Sequence, residues 1–280
     1  MYVSLYDQFM KANGFHKQFP SKLYHYTSAD AVINILENGE FWLTHVKYFN
    51  DRQEYYDGVN LILELLENRA NELGNELLLA LRNIFLNEQW HDKPLTVGIL
   101  SFSAQRDLLS QWRGYTKPGL GVALGFSTIN LYSQEIKAHL RPCIYELVEK
   151  TAIVNKIIDE TIRKCGDENK SIDDVTSEVF WLFQESAITF KSKAFREEDE
   201  WRMITFPFAN NDREWNFRSG ASTIIPFVKL KIGLKSCLDE VLVGPSENQE
   251  LTKNSLFYLM FKNDIWRNNI VASAVPYRSL

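Results

Sequence analysis

Cysteine is sparse in this chain of 280 residues, with Cys143, Cys165 and Cys237 the full set. They are odd in number and far apart. That excludes a disulfide framework or a zinc ribbon and fits a reducing cytoplasm. Basic charge is also short, with 31 Lys and Arg against 36 Asp and Glu, a net charge of −5. An overall nucleic-acid footprint is therefore missing, while a local basic patch stays open. No apolar run approaches the roughly 20 residues a membrane helix needs, so no membrane partner is expected. The start, Met1-Tyr2-Val3-Ser4-Leu5, lacks a basic segment followed by an apolar one, so no signal peptide is expected. The Gly-x-x-x-x-Gly-Lys-Ser/Thr, Gly-x-Gly-x-x-Gly and Gly-x-Ser-x-Gly patterns are all missing. A nucleotide-phosphate loop and an α/β-hydrolase elbow thus have no support. No histidine pair has metalloprotease spacing, and no metal is expected.

What is present is apolar and aromatic. Apolar residues make up 45%, enough for a folded chain with a real core. The 18 Phe, 12 Tyr and 7 Trp suit a β-rich core and stacking pockets alike. They also leave room for an apolar patch and a homodimer.

Leu23 to Tyr26 reads as a strand. Thr27 or Ser28 can cap a helix with Val32, Ile35 and Leu36 on its apolar face and Gly39 at its end. Phe41 to Thr44 looks extended, and Asn50 to Glu54 resembles a helix start. The spacing predicts helices over 53–73, 75–90, 147–166, 172–193 and 247–262, with a short one at 107–112. Strands are predicted at 95–102, 119–126, 200–206, 222–232, 239–243 and 270–275, and a loop at 166–171. Strands come in runs with helices inserted, which favours α+β. The expectation is a single domain over residues 1–280. It has an antiparallel β core with large helical insertions at about 53–90 and 147–193.

Several boxes carry candidate chemistry. Glu197-Glu198-Asp199-Glu200 sets four acids before a strand-like run that starts Trp201-Arg202. Crowded carboxylates raise one another's pKa, which a site uses more readily than a fold does. In an extended segment Glu198 and Glu200 project from one face. A solvated acidic turn is the plain alternative. His25, between Tyr24 and Tyr26, is either a packed histidine or a group that orients a ligand. Asn50, Asp51 and Glu54 share a helical face, for capping or for a site. Ser101 and Ser103 share a strand face. Trp112 and Arg113, ahead of Tyr115, suit stacking on a planar ring or ordinary packing.

Together these boxes resemble a family of uncharacterised bacterial and phage proteins. Its marks here are His25-Tyr26-Thr27, Gly39, Asn50-Asp51-x-x-Glu54, Ser101-Phe102-Ser103, Trp112-x-x-Tyr115, Gly121-Val122-x-Leu124-x-Phe126 and Glu198-x-Glu200-x-Arg202. The resemblance runs from about residue 22 to the end, through Ala274 to Arg278, and implies no agreed activity. The opening His25-Tyr26-Thr27 with Ile35-Leu36-x-x-Gly39 is also similar to the mono-ADP-ribosyltransferase superfamily, in its DNA-modifying toxin and RNA 2′-phosphotransferase branches. That resemblance implies a split antiparallel core and NAD as the substrate, held by His25, Tyr26, Thr27, Ser101, Ser103, Trp112 and Arg113. It implies Glu200 as the carboxylate at the ribose, Glu198 activating or orienting the acceptor and Arg202 holding a carboxylate or a phosphate. His25, Ser103 and Glu200 would line one cleft. The acceptor would be nucleic acid or protein, and the setting a toxin or anti-phage effector. Two other readings fit the same acids: a metal-dependent nuclease or phosphodiesterase built on Asp51, Glu54, Glu198 and Glu200, or a non-catalytic module that binds a nucleotide or a partner.

Overall fold

Among the described residues, ten strands, nearly all antiparallel, form one open sheet in the computed structural model, and helices complete a mixed α/β architecture. The structure describes residues 4–49, 52–90, 97–116, 120–133, 138–167, 172–205, 215–220, 222–265 and 269–276. The chain divides into two compact units. A helical unit takes Met1–Gln18, Val46–Thr96 and Cys143–Phe195; a sheet unit takes Phe19–His45, Val97–Pro142 and Arg196–Leu280.

In the sheet unit, β1 (Lys22–Ser28) leads into α2 (Ala29–Asn38). The Ser28 hydroxyl accepts from the Ala31 amide, as a helix cap should. Val32, Ile35 and Leu36 bury the apolar face. Gly39 closes the helix at φ 64°, and its amide donates to the Ile35 carbonyl. That left-handed turn favours glycine. The chain then enters β2 (Glu40–His45). The remaining strands are β3 (Gly98–Ser103), β4 (Gly121–Ser127), β5 (His139–Pro142), β6 (Glu200–Thr205), β7 (Asn216–Ser219), β8 (Ile224–Lys231), β9 (Leu238–Val243) and β10 (Asn269–Ala272). Helices α5 (Leu109–Tyr115), α6 (Thr128–Tyr132), α9 (Leu234–Cys237) and α10 (Gln249–Lys262) connect them. The strand order is β10-β9-β4-β1-β3-β2-β8-β7, with β10 and β9 parallel.

The sheet forks at β3. One edge of β3 pairs with β6 from Gly98–Thr205 to Ser103–Glu200, and β6 carries β5 beyond it. The other edge is divided. Ser103 pairs with Tyr24 of β1, while Ile99 and Gly98 pair with Thr44 and His45 of β2. One face of the sheet is apolar, with Leu23, Phe41, Leu43, Leu100, Phe102, Phe126, Trp201 and Met203 in one cluster.

The helical unit holds α1 (Leu5–Ala12), α3 (Arg52–Leu73), α4 (Glu76–Trp90), α7 (Leu147–Asp167) and α8 (Ile172–Thr189). Helix α3 packs on α4, α7 and α8. Gly58 makes the approach to α8 possible: a Cβ there would lie 2.9 Å from the Ala187 carbonyl oxygen. The two stretches read from sequence as helical insertions both fall in this unit.

Several elements differ from the sequence reading. Helix α1 was not anticipated. Strands β5 and β7 are four residues each and too short to carry an alternation. Helix α7 continues through Gly166 and Asp167, into the segment expected as a loop. The rest of that segment, 168–171, lies outside the described residues.

Candidate functional site

Residues from three distant stretches meet around the fork. The Ser101 hydroxyl on β3 donates to Glu200 Oε1 on β6 at 2.5 Å. Arg202, two residues along the same strand, donates through Nε to the same oxygen at 2.8 Å and through Nη2 to Oε2 at 3.3 Å. Hydrogen bonds to an ionised group are short and strong, so Glu200 is held in one orientation. Glu200 and Arg202 are each 3% exposed. Pairing of Ser103 with Glu200 and of Ser101 with Arg202 sets all four side chains on one face of the sheet. Arg141 of β5 lies opposite Arg202 and is also buried. Its Nη2 donates to His139 Nδ1 at 3.0 Å.

The acidic run is not extended. Glu198 ends a 3-10 turn, Lys193–Glu198, and Asp199 takes φ 41° before β6 begins. Glu198 and Glu200 are buried and Glu197 and Asp199 exposed, but the strand alternation expected for them does not apply. The turn is fastened to β3. The Ser103 hydroxyl donates to the Glu198 carbonyl at 2.5 Å, and the Ala104 amide to the Asp199 carbonyl at 3.0 Å.

His25 needs a correction. Its ring sits against Phe41 and Phe102, at 5.6 and 5.8 Å between centroids. Tyr24 pairs with Ser103, so the alternation of β1 turns Tyr24 toward the Ser103 and Glu200 face and His25 toward the apolar one. His25 therefore does not share a cleft with Ser103 and Glu200. It reaches them through the backbone: Nδ1 lies 2.9 Å from the Ser101 carbonyl oxygen. A carbonyl only accepts, so Nδ1 carries the proton. Burial pushes the His25 pKa down, keeping the ring neutral with its lone pair on Nε2.

Tyr26 and Trp112 meet each other edge to face at 4.7 Å and are buried. The Tyr26 hydroxyl donates to the Gln105 carbonyl and accepts from the Leu108 amide. Trp112 Nε1 donates to Asp107 at 2.7 Å, and Asp107 also accepts from the Ser273 hydroxyl and the Ala274 amide. These two aromatics thus pin α5 and the segment after β10 to β1. Thr27 pairs with Val122 along the β1–β4 ladder, and Arg113 is exposed on α5. Glu54 lies in the helical unit, where Lys191 Nζ is 3.7 Å from its Oε2. Asn50 and Asp51 lie outside the described residues. Among the described residues, no group of three or more His, Cys, Asp and Glu side chains is placed to hold a metal ion. No helix of the described chain is long and apolar enough to cross a membrane.

A second polar knot, built on Glu240 of β9, escaped the sequence reading. Glu240 accepts from the Tyr24 hydroxyl at 2.8 Å and from Arg106 Nε and Nη2 at 3.2 and 3.0 Å, with Lys22 Nζ at 3.4 Å. Burial pushes the Glu240 carboxyl up, but the bonds from Arg106 and Tyr24 outweigh it and leave its pKa lowered. Tyr24 is driven up by burial and by Glu240. The partners of Glu240 lie 134, 216 and 218 residues away, so no local spacing announces this group.

No curated protein and no solved structure matches the chain. The stretch from Gln111 to Met203, which spans Trp112, Glu198, Glu200 and Arg202, matches the family model described as a protein of unknown function, DUF2971, and so is similar to an uncharacterised domain family.

Proposed function

We propose that this chain is an NAD-dependent mono-ADP-ribosyltransferase-like enzyme with Glu200 as its catalytic carboxylate. The observation that carries this reading is the bond from Ser101 to Glu200, across 99 residues of sequence, at the fork where β1, β3 and β6 meet. Cleavage of a nicotinamide–ribose bond builds positive charge on the sugar, as glycoside cleavage does. A carboxylate fixed before that charge appears stabilises it without reorganising. Ser101 and Arg202 hold Glu200 in that manner. The donor set of carboxylate, hydroxyl and guanidinium suits a ribose joined to a pyrophosphate. NAD supplies the ribose and the nicotinamide leaving group. His25 is a positioning residue here, fixing the Ser101 carbonyl and with it the fork. The acceptor is a nucleic acid or a protein, and a toxin or anti-phage effector is the setting in keeping with it.

The test is release of free nicotinamide from NAD by the purified protein and by Glu200→Gln. Loss of a stabilising group of this kind is expected to lower turnover by about 100-fold or more, with the circular dichroism spectrum unchanged. Equal release by both proteins overturns the assignment of Glu200. No release by the wild type, with DNA, RNA or protein acceptors supplied, leaves the fork as a binding site without chemistry.

A further inference from the structure

The wing of the sheet beyond the fork carries a surface that the Glu200 chemistry does not use. On β2 the burial alternates strictly: Phe41, Leu43 and His45 are buried, while Glu40, Trp42 and Thr44 face the other way. Pairing of Trp42 with Lys229 and of Glu40 with Lys231 brings both lysines onto that second face. Arg218 of β7 joins them: it pairs with Ile225, which alternates with Phe227 and Lys229 on β8. Its Nη2 donates to the Thr44 hydroxyl at 3.3 Å. Thr44 pairs with Ile99, which alternates with Ser101 and Ser103 along β3, so by register this is the face that carries Glu200.

The chemistry of the wing is unlike that of the chain. The chain is acidic overall, yet this strip holds Lys229, Lys231 and Arg218 against Glu40, which spreads its charge between the two lysines at 3.2 and 3.8 Å. The Lys231 side chain is 79% exposed. Among these cations lies Trp42, 39% exposed, one side of its indole backed by Phe227 at 4.3 Å and 23°. A rigidly backed, open aromatic plane flanked by cations is how sequence-tolerant proteins hold unpaired bases and their phosphates. An acidic peptide would satisfy the lysines and leave the indole without a partner.

We propose that the β2–β8–β7 wing is a binding surface for single-stranded nucleic acid, in which Trp42 stacks on a base while Lys229, Lys231 and Arg218 take the phosphates. Its role as the acceptor site rests on the transferase reading; the binding itself does not. Binding of a fluorescent oligothymidylate of about 20 nucleotides, followed by anisotropy without NAD, tests it. Trp42→Ala is expected to weaken binding about 10-fold. Lys229→Glu/Lys231→Glu, both at exposed positions, is expected to weaken it further and to lower the salt slope by about two. Glu200→Gln is expected to bind as the wild type does, which separates this surface from the fork. The proposal is overturned by no binding at low salt, by wild-type affinity in both wing variants, or by equal displacement by polyglutamate, which would make this an acidic-peptide surface. Tighter binding of a duplex of equal length also overturns it, because a paired base offers Trp42 no face.

Discussion

Each unit buries a carboxylate beside a cation, and the two pairs are built differently. In the helical unit Lys191 stands 3.7 Å from Glu54, with its ammonium over the Phe195 ring at 4.8 Å. An ammonium is a compact point charge, and this pair is long and weakly directional. In the sheet unit the Arg202 guanidinium forks onto Glu200, and Ser101 adds a third bond. Burial alone would rank the two pairs together. Directional bonds from separate strands mark Glu200 as an oriented group.

Changes that break one pair and spare the other sharpen that contrast. The largest effect is expected from Lys191→Met, which removes the cation facing Glu54 from a site that is 1% exposed. Removing one partner of a buried pair costs about 3–5 kcal/mol, read as a shift in the denaturant midpoint. The double variant Glu54→Gln/Lys191→Met should recover most of it, as an interior pair does and an oriented site does not. Ser101→Ala comes next. It strips one bond from Glu200 and is expected to cost about 2 kcal/mol and to slow nicotinamide release about 10-fold. Unchanged release would place Ser101 outside the chemistry.

The smallest effect is a pH slope. The folded His25 resists protonation, whereas the unfolded chain takes up a proton near pH 6.5. Below that pH the unfolded state binds more protons, so stability falls as pH falls, by at most about 1.4 kcal/mol per unit. His25→Asn, whose amide can still donate to Ser101, should flatten that slope. A slope that persists in the variant would belong to another group.

Much of the fold was legible in the sequence because its signals are local. Ser28, the Val32-Ile35-Leu36 stripe and Gly39 specify α2 within a dozen residues. The long helices follow from apolar spacing in the same way. Strand β5 was not legible: His139-Leu140-Arg141-Pro142 has two basic residues, a proline and no room for alternation. Arg141 was missed along with it. Of the candidate residues named from the sequence, Ser101, Glu200 and Arg202 do meet. The facing of the site was not legible. Which side of β1 His25 occupies depends on the Tyr24–Ser103 register, a contact between segments about 80 residues apart that no local pattern encodes. The alternation assumed for Glu198 and Glu200 failed for a backbone reason, the positive φ of Asp199.

That residue has a further consequence. A 3-10 turn repeats every three residues and a strand every two. Without a break, any change of length or phase in Lys193–Glu198 would carry into β6 and exchange the Glu200 and Arg202 face for the Trp201 and Met203 face. Asp199, at φ 41° with its amide on the Arg196 carbonyl and its own carbonyl on the Ala104 amide, resets the phase at one residue. It insulates the strand from the turn. Glu200 and Arg202 thus keep their side of the sheet whatever the phase of the turn before them.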